Sequence, residues 1–147
     1  MAQHKVSRSV VVAAPASEIF EILAAPSRHP EFDGSGSVRR FRTGPSRLEL
    51  GTHFGMRMQL GTGYRISNQV VEFTEGRRIA WRHFAPHRWR FELEPLDDRT
   101  TRVTETFDYA NPLAYYYVLF GWPNRNARGI EETLPRLKEL AEQETAG

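Results

Sequence analysis

The 147-residue chain contains no cysteine, which excludes disulfide bonds, thiol nucleophiles and thiolate metal sites. Lysine is scarce as well, because only Lys5 and Lys138 occur among 20 basic residues and the others are arginines. No apolar run approaches the ~20 residues that a membrane-spanning helix requires. The first fifteen residues lack the apolar core of a signal peptide, so we expect a cytoplasmic protein with no membrane span.

The arginines are spread along the chain among acidic residues, and the formal net charge is only +2. Nucleic-acid-binding proteins usually concentrate their basic residues in one patch, so we expect no nucleic-acid partner. The hydrophobic fraction of 39% and the charged fraction of 26% are typical of a folded chain. The length fits one domain over residues 1–147.

Several motifs with known chemistry are also missing. The chain has no Gly-x-Ser-x-Gly segment, and its glycine-containing segments lack the lysine of a phosphate loop and the fingerprint of a dinucleotide site. His83 and His87 are four residues apart, but they flank Pro86 in a predicted hairpin turn, where a zinc site is only an alternative. We therefore predict neither a cofactor nor a metal.

The N-terminal part of the chain reads as one strand followed by two short helices. The first strand is rich in β-branched residues and ends before Pro15. Apolar positions Ile19 and Leu23 are one helical turn apart and predict a helix between Pro15 and Pro26. A second, shorter helical turn is expected to reach Glu31.

The stretch SRHPEFDGSGSV, residues 27–38, then joins these helices to the second strand. Pro30 biases His29 toward an extended backbone, and Gly34 and Gly36 permit the reversal of a helix-to-strand corner. We interpret the stretch mainly as a structural corner.

From residue 37 to residue 109, short segments of alternating polarity are separated by glycine, proline and aspartate turns. They predict about six antiparallel strands joined by hairpins. A long helix follows, and its apolar stripe consists of Ile130, Leu134, Leu137 and Ala141. Pro135 is expected to kink this helix or to weaken one of its turns.

This order indicates an α+β chain: a curved antiparallel sheet of about seven strands around a long C-terminal helix, with two short helices between strands 1 and 2. Three segments carry a family resemblance: SRSVVVAAPASEIFEILAAPSRHPEFDGSG, NQVVEFTEGRRIAWRH and TRVTETFDYANP. The chain resembles the START-like (SRPBCC) superfamily, the helix-grip domains that include polyketide cyclase/dehydrase-like and lipid-transfer proteins. The resemblance implies the helix-grip fold and a cavity between the sheet and the last helix, but no catalytic motif.

Strand alternation assigns large apolar side chains to the inner face of the sheet. A tyrosine of the segment YYYVLFGW is also expected to enter the cavity. The predicted ligand-binding residues are Phe54, Met56, Met58, Trp81, Trp89, Phe91, Phe107, Tyr116 and Phe32.

The same alternation turns His83 and Glu105 inward, which makes them the candidates for catalysis. A buried carboxyl group requires a partner, such as an imidazole, water or a ligand. As a pair, the two side chains would act as a general acid and base. The alternatives are a hydrated Glu105 at the cavity mouth, or a bulge that exposes it.

Three functions remain open at the level of the sequence. The first is binding of a small hydrophobic ligand, such as a lipid, a polyketide or an aromatic metabolite, by an adaptable aromatic and methionine surface. The second is a polyketide cyclase, aromatase or dehydratase that uses acid and base residues of the cavity. The third is a partner-binding or stress-response domain, and exposed aromatic residues within Tyr115–Trp122 would favour this function or a homodimer.

Overall fold

Seven antiparallel strands form one sheet in the computed structural model, which describes residues 5–33, 38–43, 46–60, 62–82, 87–109, 116 and 122–146. The strands are β1 (Lys5–Val12), β2 (Val38–Thr43), β3 (His53–Leu60), β4 (Thr62–Thr74), β5 (Arg78–Arg82), β6 (Arg88–Asp97) and β7 (Thr100–Asp108). Their number and their antiparallel pairing confirm the sheet that the alternating segments predict.

The order of the strands in the sheet is β1-β7-β6-β5-β4-β3-β2. All strands from β2 to β7 are therefore paired with their neighbours in the chain, and β1 joins the far edge beside β7. Register shifts interrupt the pairing between β2 and β3, between Val70 and Glu72 in β4, and between Pro95 and Asp97 in β6. Such bulges increase the twist and bend of a sheet, which gives it a concave inner face.

Short helices connect β1 to β2, as predicted. Helix α1 (Ala16–Ala24) begins after Pro15, and a 3₁₀ turn (Pro26–Arg28) leads directly into helix α2 (His29–Phe32). Helix α1 buries Ile19, Phe20 and Leu23 in the core.

The C-terminal helix α3 (Trp122–Ala146) packs against β1, β7, α1 and α2. Its predicted apolar stripe is confirmed, because Ile130, Leu134, Leu137 and Ala141 are all buried. The helix continues through Pro135, whose side chain is exposed. The proline therefore lies on the outer side of the helix and does not end it.

The outer face of the sheet carries a network of ion pairs centred on Glu72 of β4. Its carboxylate accepts hydrogen bonds from Arg90, at 2.7 and 3.0 Å, and from Arg88 at 2.9 Å. Arg90 also donates to Asp108 of β7 at 3.0 Å. The hydrogen bond from Arg90 is the main reason that the pKa of Glu72 falls to about 2. This network links β4, β6 and β7 on the face opposite to α3.

Candidate functional site

Five rings from α2 and three strands pack together on the inner face; we call them the first aromatic cluster. His29 stacks on Trp81 with 4.6 Å between ring centroids, and meets Phe32 and Phe54 edge-on at 5.3 and 5.5 Å. Trp81 lies 5.7 Å from Phe91, which also contacts Phe32 at 6.2 Å. The cluster ties α2 to the middle of the sheet through ring contacts.

A second aromatic cluster lies beside the first and consists of His87, Trp89, Phe107 and Tyr109. The ring of Phe107 lies 4.9 Å from Trp89, 5.0 Å from His87 and 5.4 Å from Tyr109. Trp81 and Trp89 are paired across β5 and β6. Because these two strands are paired, the first and second aromatic clusters form one continuous aromatic surface.

His29 is a buried, neutral imidazole within the first cluster. Its Nε2 lies 2.9 Å from the carbonyl oxygen of Leu23, so Nε2 carries the proton and donates. Burial lowers the pKa of His29 to about 4, despite the opposing effect of this hydrogen bond. The expected extended backbone at His29 is wrong, because φ −55° and ψ −39° are helical. Proline is tolerated in a first helical turn, and the buried contacts of the ring hold His29 there.

Glu105 is a carboxylic acid in an otherwise apolar part of the inner face. It lies opposite Phe91 of β6 and Arg8 of β1, with only 5% of its surface exposed. Among the residues that the structure describes, its buried Oε1 has no hydrogen-bond partner. Burial, and secondarily the negative charge of Asp33, raise its pKa to about 8. Glu105 is therefore protonated at neutral pH.

Both structural alternatives for Glu105 are wrong. The side chain is not hydrated at an open mouth, because it is buried. No bulge turns it outward either, since the β6–β7 pairing is regular around it and shifts only between Pro95 and Asp97.

Two basic residues of the described chain come close to this region, since Arg8 is the β1 partner of Glu105 and Arg136 contacts Asp33. Arg8 donates to Glu131 of α3 at 3.1 Å and to the carbonyl of Ser7. Arg136 of α3 donates to the backbone carbonyl of Asp33 at 3.0 Å. These arginines hold α3 against β1 and the end of α2.

The structure places most of the predicted ligand-binding residues on this inner surface. Phe32, Phe54, Met56, Phe91 and Phe107 are buried in the core, and Trp81 and Trp89 pack against it while partly exposed. Tyr116 differs, because it is helical with 54% of its surface exposed. The side chain of Met58 and the whole of His83 lie outside the described residues.

Four further residues lie beside this surface and were not predicted from the sequence as part of the site: His29, Asp33, His87 and Tyr109. Tyr109 lies two residues after Phe107, so alternation places both side chains on the same face. Only 7% of the surface of His87 is exposed. A polar residue type such as histidine does not by itself predict such burial. Because His87 is two residues before Trp89, alternation places both side chains on the inner face, and this spacing would have predicted the position of His87.

A groove of about 500 Å³ lies elsewhere, on the outer side of the sheet. Its lining is mostly charged, and consists of Thr74, Arg77, Arg78, Glu92, Leu93, Glu94, Arg102 and Thr104. Arg78 pairs with Glu92 at 2.9 Å across this groove. Such a lining does not suit an apolar ligand.

The described part of the chain holds neither a metal-binding cluster nor a membrane-spanning helix. No three histidine or acidic side chains there come close enough together to hold a metal ion. None of the described helices combines the length and the apolar character needed to cross a membrane.

The model of one protein family, described as polyketide cyclase / dehydrase and lipid transport, matches residues 3–142. The chain belongs to this family. The match covers nearly all of the sheet and α3, in agreement with the helix-grip fold that the sequence resemblance implies.

Relatives of the chain include uncharacterised proteins from two strains of Mycobacterium tuberculosis, Rv0088 and MT0096. Each is 45% identical over 141 residues, which cover 92% of this chain and 63% of the relative. The chain thus spans less than two thirds of the length of these curated relatives.

Solved structures support the fold. Protein NE0264 from Nitrosomonas europaea has a TM-score of 0.75 at 22% identity, with 100% of this chain and 99% of that chain covered. The Polyketide_cyc-like protein Cgl2372 from Corynebacterium glutamicum has a TM-score of 0.63 at 19% identity, with 97% and 94% covered. At these identities the likeness concerns the fold alone.

Proposed function

We propose that this member of the family binds a small hydrophobic ligand, such as a lipid, a polyketide or an aromatic metabolite, between the inner face of the sheet and α3. One observation carries the proposal: a continuous aromatic surface surrounds a buried carboxyl group without a partner among the described residues. A core that served only stability would gain nothing from burying that group.

The aromatic surface suits a ligand with apolar faces. Trp81 and Trp89 are only partly buried and present ring surface that a ligand would cover. The proposed contact residues are those predicted from the sequence: Phe32, Phe54, Met56, Met58, Trp81, Trp89, Phe91, Phe107 and Tyr116. Membership of a family that includes lipid transport supports the same conclusion.

The test uses protein stripped of bound lipid on a hydrophobic resin and titrated with the uncharged fluorophore N-phenyl-1-naphthylamine. We expect saturable binding that Trp81→Leu weakens at least about fivefold, because a large ring face is lost. Leu96→Ala is the matched control, since Leu96 is 42% exposed and lies in β6 away from the aromatic surface. Absence of binding, together with absence of a retained molecule in native mass spectrometry, would refute the proposal.

A cyclase, aromatase or dehydratase activity is the second candidate function. The observation that favours it is the protonated Glu105, because a carboxylic acid that keeps its proton at neutral pH suits general acid catalysis. In this version His83 is the base. A linear poly-β-ketone thioester should then be converted to a dehydrated ring by the wild type and not by Glu105→Gln. Equal conversion by both proteins would remove Glu105 from the mechanism.

The partner and location predictions complete the proposal. We propose a cytoplasmic protein without a nucleic-acid partner, and a homodimer is the predicted assembly if Tyr115–Trp122 presents aromatic residues to a second copy. Size-exclusion chromatography with light scattering separates a 16.9 kDa monomer from a dimer.

A further inference from the structure

We propose that Glu105 and Asp33 make the inner-face site selective for an uncharged ligand that carries a hydrogen-bond acceptor, such as a ketone, and that they exclude carboxylates. Glu105 is then the residue that determines specificity, as donor to the ligand oxygen. The inference rests on the proposed function, because it assumes that a ligand occupies the inner face.

The position of Glu105 is the first step. The side chain projects from the centre of β7 between Val103 and Phe107, both of which are fully buried, and opposite Phe91. Its Oε1 is buried without a partner among the described residues. A buried polar atom of this kind is costly until it is paired. A ligand on the aromatic surface that brought a polar atom to Glu105 would remove that cost.

The charges around Glu105 determine which polar atom fits. Asp33, at the end of α2, places a negative charge near it. Among the described residues, Arg8 pairs with Glu131 of α3, and Arg136 donates to the backbone carbonyl of Asp33. His29 in α2 is neutral at physiological pH because burial lowers its pKa to about 4. The surroundings therefore favour the protonated form of Glu105, whose pKa is raised to about 8.

A protonated carboxyl group has one O–H to donate. A ketone oxygen accepts that hydrogen bond without bringing charge into the apolar surface. A ligand carboxylate would be repelled by Asp33 and would lose its hydration on the apolar surface. An ammonium group would also lose hydration, and Glu105 would have to ionise to pair with it. The uncharged acceptor is thus the ligand group that the site accommodates best.

The experiment compares three probes of ten carbons, decan-2-one, decanoate and decylamine, by isothermal titration calorimetry at pH 6.5 and pH 9.5. At pH 6.5 we expect decan-2-one to bind at least about tenfold more tightly than decanoate, which corresponds to one buried hydrogen bond. At pH 9.5 the ketone should bind more weakly, because ionised Glu105 has no proton to donate.

Two substitutions distinguish the effect of the hydrogen-bond donor of Glu105 from the effect of its side-chain volume. Glu105→Gln keeps an N–H donor that does not titrate, so its affinity for decan-2-one should be the same at both pH values. Glu105→Leu removes the donor and should bind decan-2-one about tenfold more weakly than the wild type does at pH 6.5. Glu94→Gln is the control and should behave as the wild type, since Glu94 is an exposed residue of the outer face.

The outcomes distinguish the two proposals. If N-phenyl-1-naphthylamine binds and none of the three probes does, ligand binding stands and the inference is refuted. If neither the fluorophore nor any probe binds and no molecule is retained, both proposals fail. If the three probes bind with equal affinity, or if Glu105→Leu leaves the preference unchanged, ligand binding stands and selection by Glu105 is refuted. If decylamine binds more tightly than decan-2-one, the proposed selectivity for an uncharged ligand is refuted, and the site prefers a cation.

Discussion

Replacing Glu105 by glutamine should change how the free energy of unfolding depends on pH. The pKa of Glu105 is raised to about 8 from its ordinary value of 4.5. The folded protein therefore binds a proton that the unfolded chain releases above pH 4.5. The stability that depends on this proton is fully present below pH 4.5 and is lost as the pH rises toward 8. Glutamine does not titrate, so the unfolding free energy of the variant does not include this pH-dependent decrease.

The size of the effect follows from the two pKa values. Each pH unit within this window reduces the contribution of Glu105 to the unfolding free energy by up to about 1.4 kcal/mol. Between pH 5 and pH 7, Glu105→Gln should gain about 2.5 kcal/mol relative to the wild type. This is a large share of the 5–15 kcal/mol by which folded domains are usually stable.

Urea unfolding, followed by tryptophan fluorescence at half-unit steps from pH 5 to pH 8, measures this difference. Glu94→Gln is the control, because Glu94 is exposed and its difference from the wild type should be constant with pH. The reasoning is refuted if the difference between Glu105→Gln and the wild type is also constant over this range. In that case the carboxyl group would be ionised or solvated in the folded protein.

Three further changes have expected results that can be measured by urea unfolding. Glu72→Ala should cost about 2 kcal/mol at pH 7, because it leaves three arginines on the outer face without their shared carboxylate. An effect equal to that of exposed Glu94→Ala would contradict this. Burial lowers the pKa of His29 from 6.5 to about 4. Between pH 7 and pH 4 the unfolding free energy of the wild type should therefore fall by up to about 3 kcal/mol more than that of His29→Phe. If the unfolding free energies of the two proteins change in parallel with pH, the imidazole is solvated in the folded protein. Gly76→Ala should cost about 1 kcal/mol, because Gly76 has φ +72°; an unchanged urea midpoint would show that the turn adapts.

The order of the elements could be predicted from the sequence because local patterns specify it. Alternation turns Glu105 inward, and prolines mark the start of α1 and the end of the first strand. The stripe from Ile130 to Ala141 is a repeat of one helical turn, and burial of such a stripe is the main source of helix stability in proteins. These patterns involve near neighbours in the chain, so a single sequence contains them.

The environment of Glu105 could not be predicted in the same way. Its charged neighbour Asp33 directly follows α2, 72 positions earlier in the chain, and no local pattern encodes that approach. The helical backbone of His29 was missed for a related reason. The preference of a residue before proline is a local one, and the stack on Trp81 and the hydrogen bond to Leu23 override it.

The two buried titratable groups of the inner surface act in opposite directions on stability. His29 makes the folded protein less stable as the pH falls below 6.5, and Glu105 makes it less stable as the pH rises above 4.5. Between pH 4 and pH 7 their combined contribution changes by less than about 1 kcal/mol. The two steep slopes therefore nearly cancel within the wild-type profile, and the single substitutions reveal each of them. Because a ligand that pairs with protonated Glu105 would raise its pKa further, bound ligand should extend the loss of stability beyond pH 8 and leave the slope due to His29 unchanged.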